Sequence, residues 1–173
     1  MQLVLRLLLF LEQRRTALRL SGIIPACALN KEKVLAEIFY RTDVAAAKQI
    51  AQKLRLDEKE FVEGFVFEIL QDDEVFGLVA YSDYREDDSV WISICTWNKK
   101  WCTAKVLKQI FGVAFNALKC RRINALICAD NKASLSLAER CGFVKEGKMR
   151  AYYSDGKDAF VLGMLREDCK FIK

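Results

Sequence analysis

The stretch "NKASLSLAERCGFVKEGKMR" (131–150) decides how this chain is read. An apolar run of strand length, "RINALICA" (122–129), leads into it. Asn131 then opens a short helical segment, because an Asn side-chain oxygen can accept an amide of the first helical turn. Gly142 closes that segment, since glycine adopts the left-handed backbone that ends a helix, and Phe143 follows at once. The spacing therefore predicts strand, capped helix over 131–141, glycine stop and return.

Working outward, "GKMRAYYSDGKDAFVLGML" (147–165) reads as two strands around "SDGKD", with Asp155-Gly156 as the hairpin turn and Tyr152 and Tyr153 on the first strand. Upstream, "TAKVLKQIFGVAFNAL" (103–118) has the wide apolar face of a packed helix, and "SVWISICTW" (89–97) reads as a strand. "FVFEIL" (65–70) and "VFGLVAYSD" (75–83) form a hairpin across "QDDE". "KVLAEIFYR" (33–41) has strand character, and "DVAAAKQIAQKL" (43–54) has helical periodicity with Asp43 as its cap. The order β-α-β-β-β-α-β-α-β-β predicts an α/β (α+β) domain, a mixed sheet of about six or seven strands flanked by helices.

Two regions follow from this pattern: residues 1–30, a Leu-rich amphipathic helix over about 2–20 with a linker, and the domain, 31–173. Arg6 interrupts the first apolar run, which argues against a secretory signal. The helix suits docking on the domain, on a partner or on a second copy of the chain.

Composition excludes several classes. There is no His, so imidazole bases, Ser-His-Asp triads and His-ligated metals are out, and no metal is expected. Seven Cys, an odd number without a CxxC, fit reduced thiols in the cytoplasm. No apolar run has the length of a membrane span. A net charge of +5, spread along the chain, suits an anionic ligand but is not the footprint of a nucleic-acid binder.

The ordered set Asn131, Ser134, Gly142-Phe143, Glu146-Gly147 and Arg150, followed by "YYSDGKDAFVLGML" (152–165), resembles the C-terminal half of GNAT (Gcn5-related) N-acetyltransferases. It is most similar to the branch that acetylates ribosomal proteins and N-terminal amines. "GMLREDCKFI" (163–172) also resembles small acetyltransferases of bacteriophages. The resemblance implies a mostly antiparallel GNAT sheet whose fourth and fifth strands part to admit acetyl-CoA. It implies backbone contacts to the pantetheine arm from Ile94, Cys95 and Trp97. It puts the pyrophosphate on "NKKWCT" (98–103), with Lys99, Lys100, Trp101, Cys102 and Thr103 around it. Helix N-termini favour such anions. This sequence departs from the family there, because Trp101 stands where a glycine is expected.

The resemblance further implies that Asn131 orients the pantetheine or caps the helix. Where many family members carry a Tyr acid, this chain has Ala138, which leaves Ser134 to assist the departing thiolate. No general base stands out. An α-amine, pKa about 7.7–8.0, is neutral to several tenths near pH 7.4, whereas a lysine amine, about 10.4, is neutral to roughly 0.1%. A chain without His or an evident base therefore suits an α-amine of a protein or peptide, attacking the thioester directly. Two alternatives stand beside this one. One is a GNAT-like protein that binds without catalysis, as Trp101 and Ala138 suggest. The other is a small-molecule acetyltransferase, one that modifies a polyamine or an antibiotic, with "YREDD" (84–88) drawing a cationic acceptor.

Overall fold

The computed structural model describes residues 37–41, 52–53, 64–71 and 74–172. The expected N-terminal helix and linker (1–30) lie outside these residues, as does all of the expected helix 43–54 except its residues 52 and 53. Among the described residues seven strands form one sheet: β1 (Glu37–Arg41), β2 (Phe65–Gln71), β3 (Glu74–Arg85), β4 (Ser89–Thr96), β5 (Arg122–Cys128), β6 (Val144–Met149) and β7 (Ala159–Leu165). Their spatial order is β1-β2-β3-β4-β5-β7-β6. Every neighbouring pair is antiparallel except β4 and β5, which run parallel.

β3 is the long central strand. Its residues Phe76–Tyr81 are buried on both faces, so the period-two alternation gives way to a continuous apolar run. Phe67 of β2 meets Tyr81 of β3 edge-on, with ring centroids 5.6 Å apart. After β4 a tight 3-10 turn (Lys99–Trp101) leads to helix α1 (Ala104–Gly112). Val106, Leu107, Ile110 and Phe111 bury one face of α1. Thr103 caps it by accepting the Val106 N–H, 3.2 Å away.

The sequence predicts one α-helix over 103–118. Instead, residues Val113–Ala117 wind as a π-helical turn. Outside donors claim carbonyls along this stretch. The buried Tyr81 hydroxyl donates to the Ile110 carbonyl at 2.7 Å, and Tyr84 donates to Leu118 at 3.0 Å. Arg166 donates to the Phe115 carbonyl and to Asn116 Oδ1. Carbonyls engaged sideways are weaker acceptors along the axis, which fits a local change of helical pitch.

Helix α2 (Lys132–Cys141) ends at Gly142, whose φ of +118° is in the left-handed region. A side chain there would strike the Asp168 carbonyl, so glycine is required on two grounds. β6 ends at Met149, earlier than expected. Tyr152 and Tyr153 therefore lie in the loop between β6 and β7, not on a strand. The Gly156 N–H donates to the Tyr153 carbonyl at 2.8 Å and closes a turn at Asp155-Gly156.

Tyr81→Phe removes the donor to Ile110 while keeping the ring. The expected loss is on the order of 1–3 kcal/mol in unfolding free energy, because a buried carbonyl is left without its partner. Urea denaturation of the two proteins checks it.

Candidate active site

The site begins where two strands part. β4 and β5 pair only at Ser89↔Arg122, Val90↔Ile123 and Trp91↔Asn124. β4 continues to Thr96 and β5 to Cys128 without further register between them. On its other edge β4 stays paired with β3 as far as Thr96, and the Trp97 N–H donates to the Phe76 carbonyl at 3.1 Å. Backbone polar groups alternate along a strand. Trp97, Cys95 and Ser93 therefore turn theirs to β3, and Ile94 and Thr96 turn theirs to the opening. Residues of opposite parity cannot serve one edge, so Cys95 and Trp97 do not join Ile94 there. The Trp97 indole is 44% exposed and donates to the Val75 carbonyl at 2.6 Å, toward the β2–β3 hairpin.

A cavity of about 860 Å³ fills the opening. Ile94 and Thr96 line it from β4, Ile127 and Cys128 from β5, and Asn131 and Ser134 from α2. Trp101 lines it too and is only 7% exposed. The backbone conformation of this turn does not itself require glycine. Among the described residues the positive-φ positions are Asp83, Asp87, Lys119, Ala151, Gly142 and Gly156, so residues 98–103 all keep ordinary backbone. Asn98 holds the turn by accepting the Lys100 N–H on its side chain at 3.0 Å. The indole goes inward beside Leu107 and Phe111, and Lys99, Lys100 and Cys102 stay exposed.

Asn131 caps α2, accepting the Ser134 N–H on Oδ1 at 3.1 Å. Its capping oxygen and the Ser134 side chain thus share one corner of the cavity. Phe143 is buried against Phe111, with centroids 6.2 Å apart, and lines the same space. Lys99, Lys100, Cys102 and Thr103 do not line the cavity; they surround the tip of α1 next to it. The acidic run 84–88 is not brought to the cavity. It forms the β3–β4 turn at the closed end of the strand pair, where Asp88 binds Arg121 at 2.5 Å.

Sequence reasoning missed one wall. Tyr152, Tyr153, Asp155 and Lys157 of the β6–β7 loop line the cavity, as does Cys141 at the end of α2. The adjacent tyrosines were expected near the acceptor side on a strand, and the structure puts them instead on this loop, with Asp155 and Lys157. Burial pushes the Tyr153 hydroxyl above its ordinary value, so it keeps its proton at neutral pH. The Cys141 thiol is pushed up to about 11, first by burial and then by the neighbouring Cys102 and Cys169. Among the described residues no group of acidic or thiol side chains is arranged to hold a metal ion. No helix among them is long and apolar enough to cross a membrane.

β5 is anchored at its base. Arg122 donates through Nε to Asn124 Oδ1 at 2.5 Å and grips both oxygens of Glu146 on β6. The pair crosses above Gly163 of the intervening strand β7, where any side chain would collide with both partners. Glu146, at the position matching the family's Glu-Gly motif, is thus a structural group.

With this geometry in place, comparison identifies the class. Residues 23–144 match the acetyltransferase (GNAT) domain family, and the chain belongs to that family. It is an acyltransferase, and acetyl-CoA is its co-substrate. A search of curated proteins returns no match. Among solved structures, the spermidine N-acetyltransferase of Vibrio cholerae in complex with CoA and spermine superposes with a TM-score of 0.63 at 12% identity, covering 80% of this chain and 98% of that one. An IAA acetyltransferase of Bacillus cereus superposes with a TM-score of 0.59 at 15% identity, covering 75% and 99%. These likenesses concern the fold.

The Arg122 guanidinium holds the Glu146 carboxyl below its ordinary 4.5. A depressed carboxyl stabilises the fold above its unfolded pKa, and that contribution disappears as pH falls through the folded value. Glu146→Gln is therefore expected to be less stable than the parent at pH 7, with the difference shrinking below about pH 4. Thermal melts across pH 3–8 check it.

Proposed function

We propose that this N-acetyltransferase acts on a primary amine of low basicity, the α-amine of a protein or peptide. The observation that carries the reading is the parted strand pair, with the backbone of Ile94 and Thr96 facing a cavity that α1 and α2 both reach. A pantetheine arm offers amides that such a free strand edge can pair with. The turn 98–103 and the N-terminus of α1, with Lys99 and Lys100 exposed beside them, suit a pyrophosphate. Asn131 and Ser134 stand at the cavity corner to orient the arm. The donor, when bound, supplies an acetyl group activated as a thioester.

The chain's own groups favour an amine that is already neutral. It has no His, and the described carboxylate on the cavity wall, Asp155, pairs with Lys157 at 3.1 Å. Ser134 and the protonated Tyr153 can hand a proton to a leaving thiolate, whose own pKa is about 8.5. The similarity of residues 131–165 to the N-terminal-amine branch supports the same acceptor.

Acetyl transfer at pH 7.4 to a peptide α-amine, a peptide lysine and spermidine tests the acceptor. The α-amine is expected to lead lysine by at least about tenfold in kcat/KM, given the neutral fractions of the two amines. Faster transfer to lysine or spermidine overturns the assignment. Calorimetry with acetyl-CoA tests the site itself, and absence of binding overturns it. Reversing Lys99 and Lys100 together to Glu is expected to weaken acetyl-CoA binding about tenfold at low salt, since each charge near a helix terminus contributes 0.3–1 kcal/mol.

A further inference from the structure

The loop from Arg150 to Asp158 supplies Tyr152, Tyr153, Asp155 and Lys157 to the cavity wall. One residue closes its base. The Asp158 side chain accepts the Ala151 N–H at 2.8 Å and pairs with Lys148 of β6 at 2.6 Å. Its carbonyl accepts the Ala129 N–H at 2.9 Å, just beyond the end of β5. Ala151 has a φ of +49°, a left-handed conformation that alanine leaves unless something holds it. Further out the loop has its own lock, because the Tyr153 N–H donates to the Lys157 carbonyl at 3.1 Å. The two tyrosine rings meet edge-on, with centroids 5.1 Å apart.

The tip is therefore a rigid turn, and its placement depends on the base. From this geometry we infer that Asp158 is a positioning residue for the acceptor. It fixes Ala151 and the exit of β5 together, and so sets where Tyr152 and Tyr153 stand relative to Asn131 and Ser134. Its kinetic consequence rests on the amine-acetylating function proposed above. Asp158 lies on none of the cavity's surface and acts only through the loop.

Asp158→Ala and Asp158→Asn test it. Asparagine keeps an oxygen for the Ala151 N–H and loses the charge facing Lys148; alanine loses both. Asp158→Ala is expected to raise the acceptor KM and to lower kcat, together about ten- to a hundredfold in kcat/KM, because Tyr153 moves with the loop. Its acetyl-CoA affinity by calorimetry and its melting temperature should stay close to the parent's. Asp158→Asn should restore most of the acceptor KM. Hydrogen exchange at 150–158 should be faster in Asp158→Ala and unchanged elsewhere. An unaltered acceptor KM overturns the inference, as does a parallel loss of acetyl-CoA affinity and stability. If the parent binds acetyl-CoA but acetylates none of the three amines, the acceptor assignment fails instead. Exchange then decides alone: acceleration confined to the loop upholds the latch, and unchanged exchange overturns it.

Discussion

The molecule depends on a strand pair that starts and does not finish. Buried backbone amides and carbonyls need partners, and two parallel strands side by side would ordinarily supply them to each other. Here the pairing stops at Trp91↔Asn124. Past that point, apolar side chains from the turn, from α1 and from the exit of α2 line the space, Trp101, Phe111 and Phe143 among them. The freed edge of β4 is left to water or to a ligand that can imitate a strand. β4 can part from β5 because, over the opening, each strand stays paired on its other side, β4 with β3 from Trp91 to Thr96 and β5 with β7.

That arrangement loads the closed end. The polar groups with the most demanding surroundings are there or lean on it. Asn124 is only 9% exposed, yet it has the Arg122 Nε as donor. Arg122 in turn reaches over Gly163 to Glu146, so three consecutive strands of the sheet, β5, β7 and β6, are tied by one ion pair. The π-helical turn after α1 is held in the same manner, by side chains of β3 and of the segment after β7. The open end carries fewer such ties and keeps its shape through caps and turns: Asn98, Thr103, Asn131 and Asp158.

Much of this could be read from the sequence. The strand runs at 65–70, 75–83, 89–97 and 122–129, the Asn131 cap and the Gly142 stop are local signals, and they fall close to where the structure puts them. The order of elements also gives the sheet, because alternation of strands and helices restricts its connections. Three features escaped, each for a physical reason. The π-helical turn is flanked and held by Tyr81, Tyr84 and Arg166, which lie 29 to 51 residues away in sequence from the groups they bind, so no local window contains them. Tyr152 and Tyr153 sit next to strand residues and have strand propensity, but the strand ends at Met149 and Ala151, bonded to the distant Asp158 side chain, has a left-handed φ just before them. Trp101 stood out as an obstacle because the family writes glycine there. The 3-10 turn there has ordinary φ, and the indole is buried toward the cavity, an outcome that depends on packing with residues distant in sequence. Strand parity was legible yet misapplied: Ile94 and Cys95 cannot both address the same edge.

Cys141 gives the site a chemical selectivity of its own. A thiol beside a thioester is a rival acyl acceptor, since sulfur–sulfur acyl exchange is easy for a thiolate and slow for a thiol. With its pKa near 11, Cys141 is ionised in only roughly one molecule in several thousand at pH 7.4. The same burial that packs Cys141 into the wall thus makes that thiol a poor acyl acceptor.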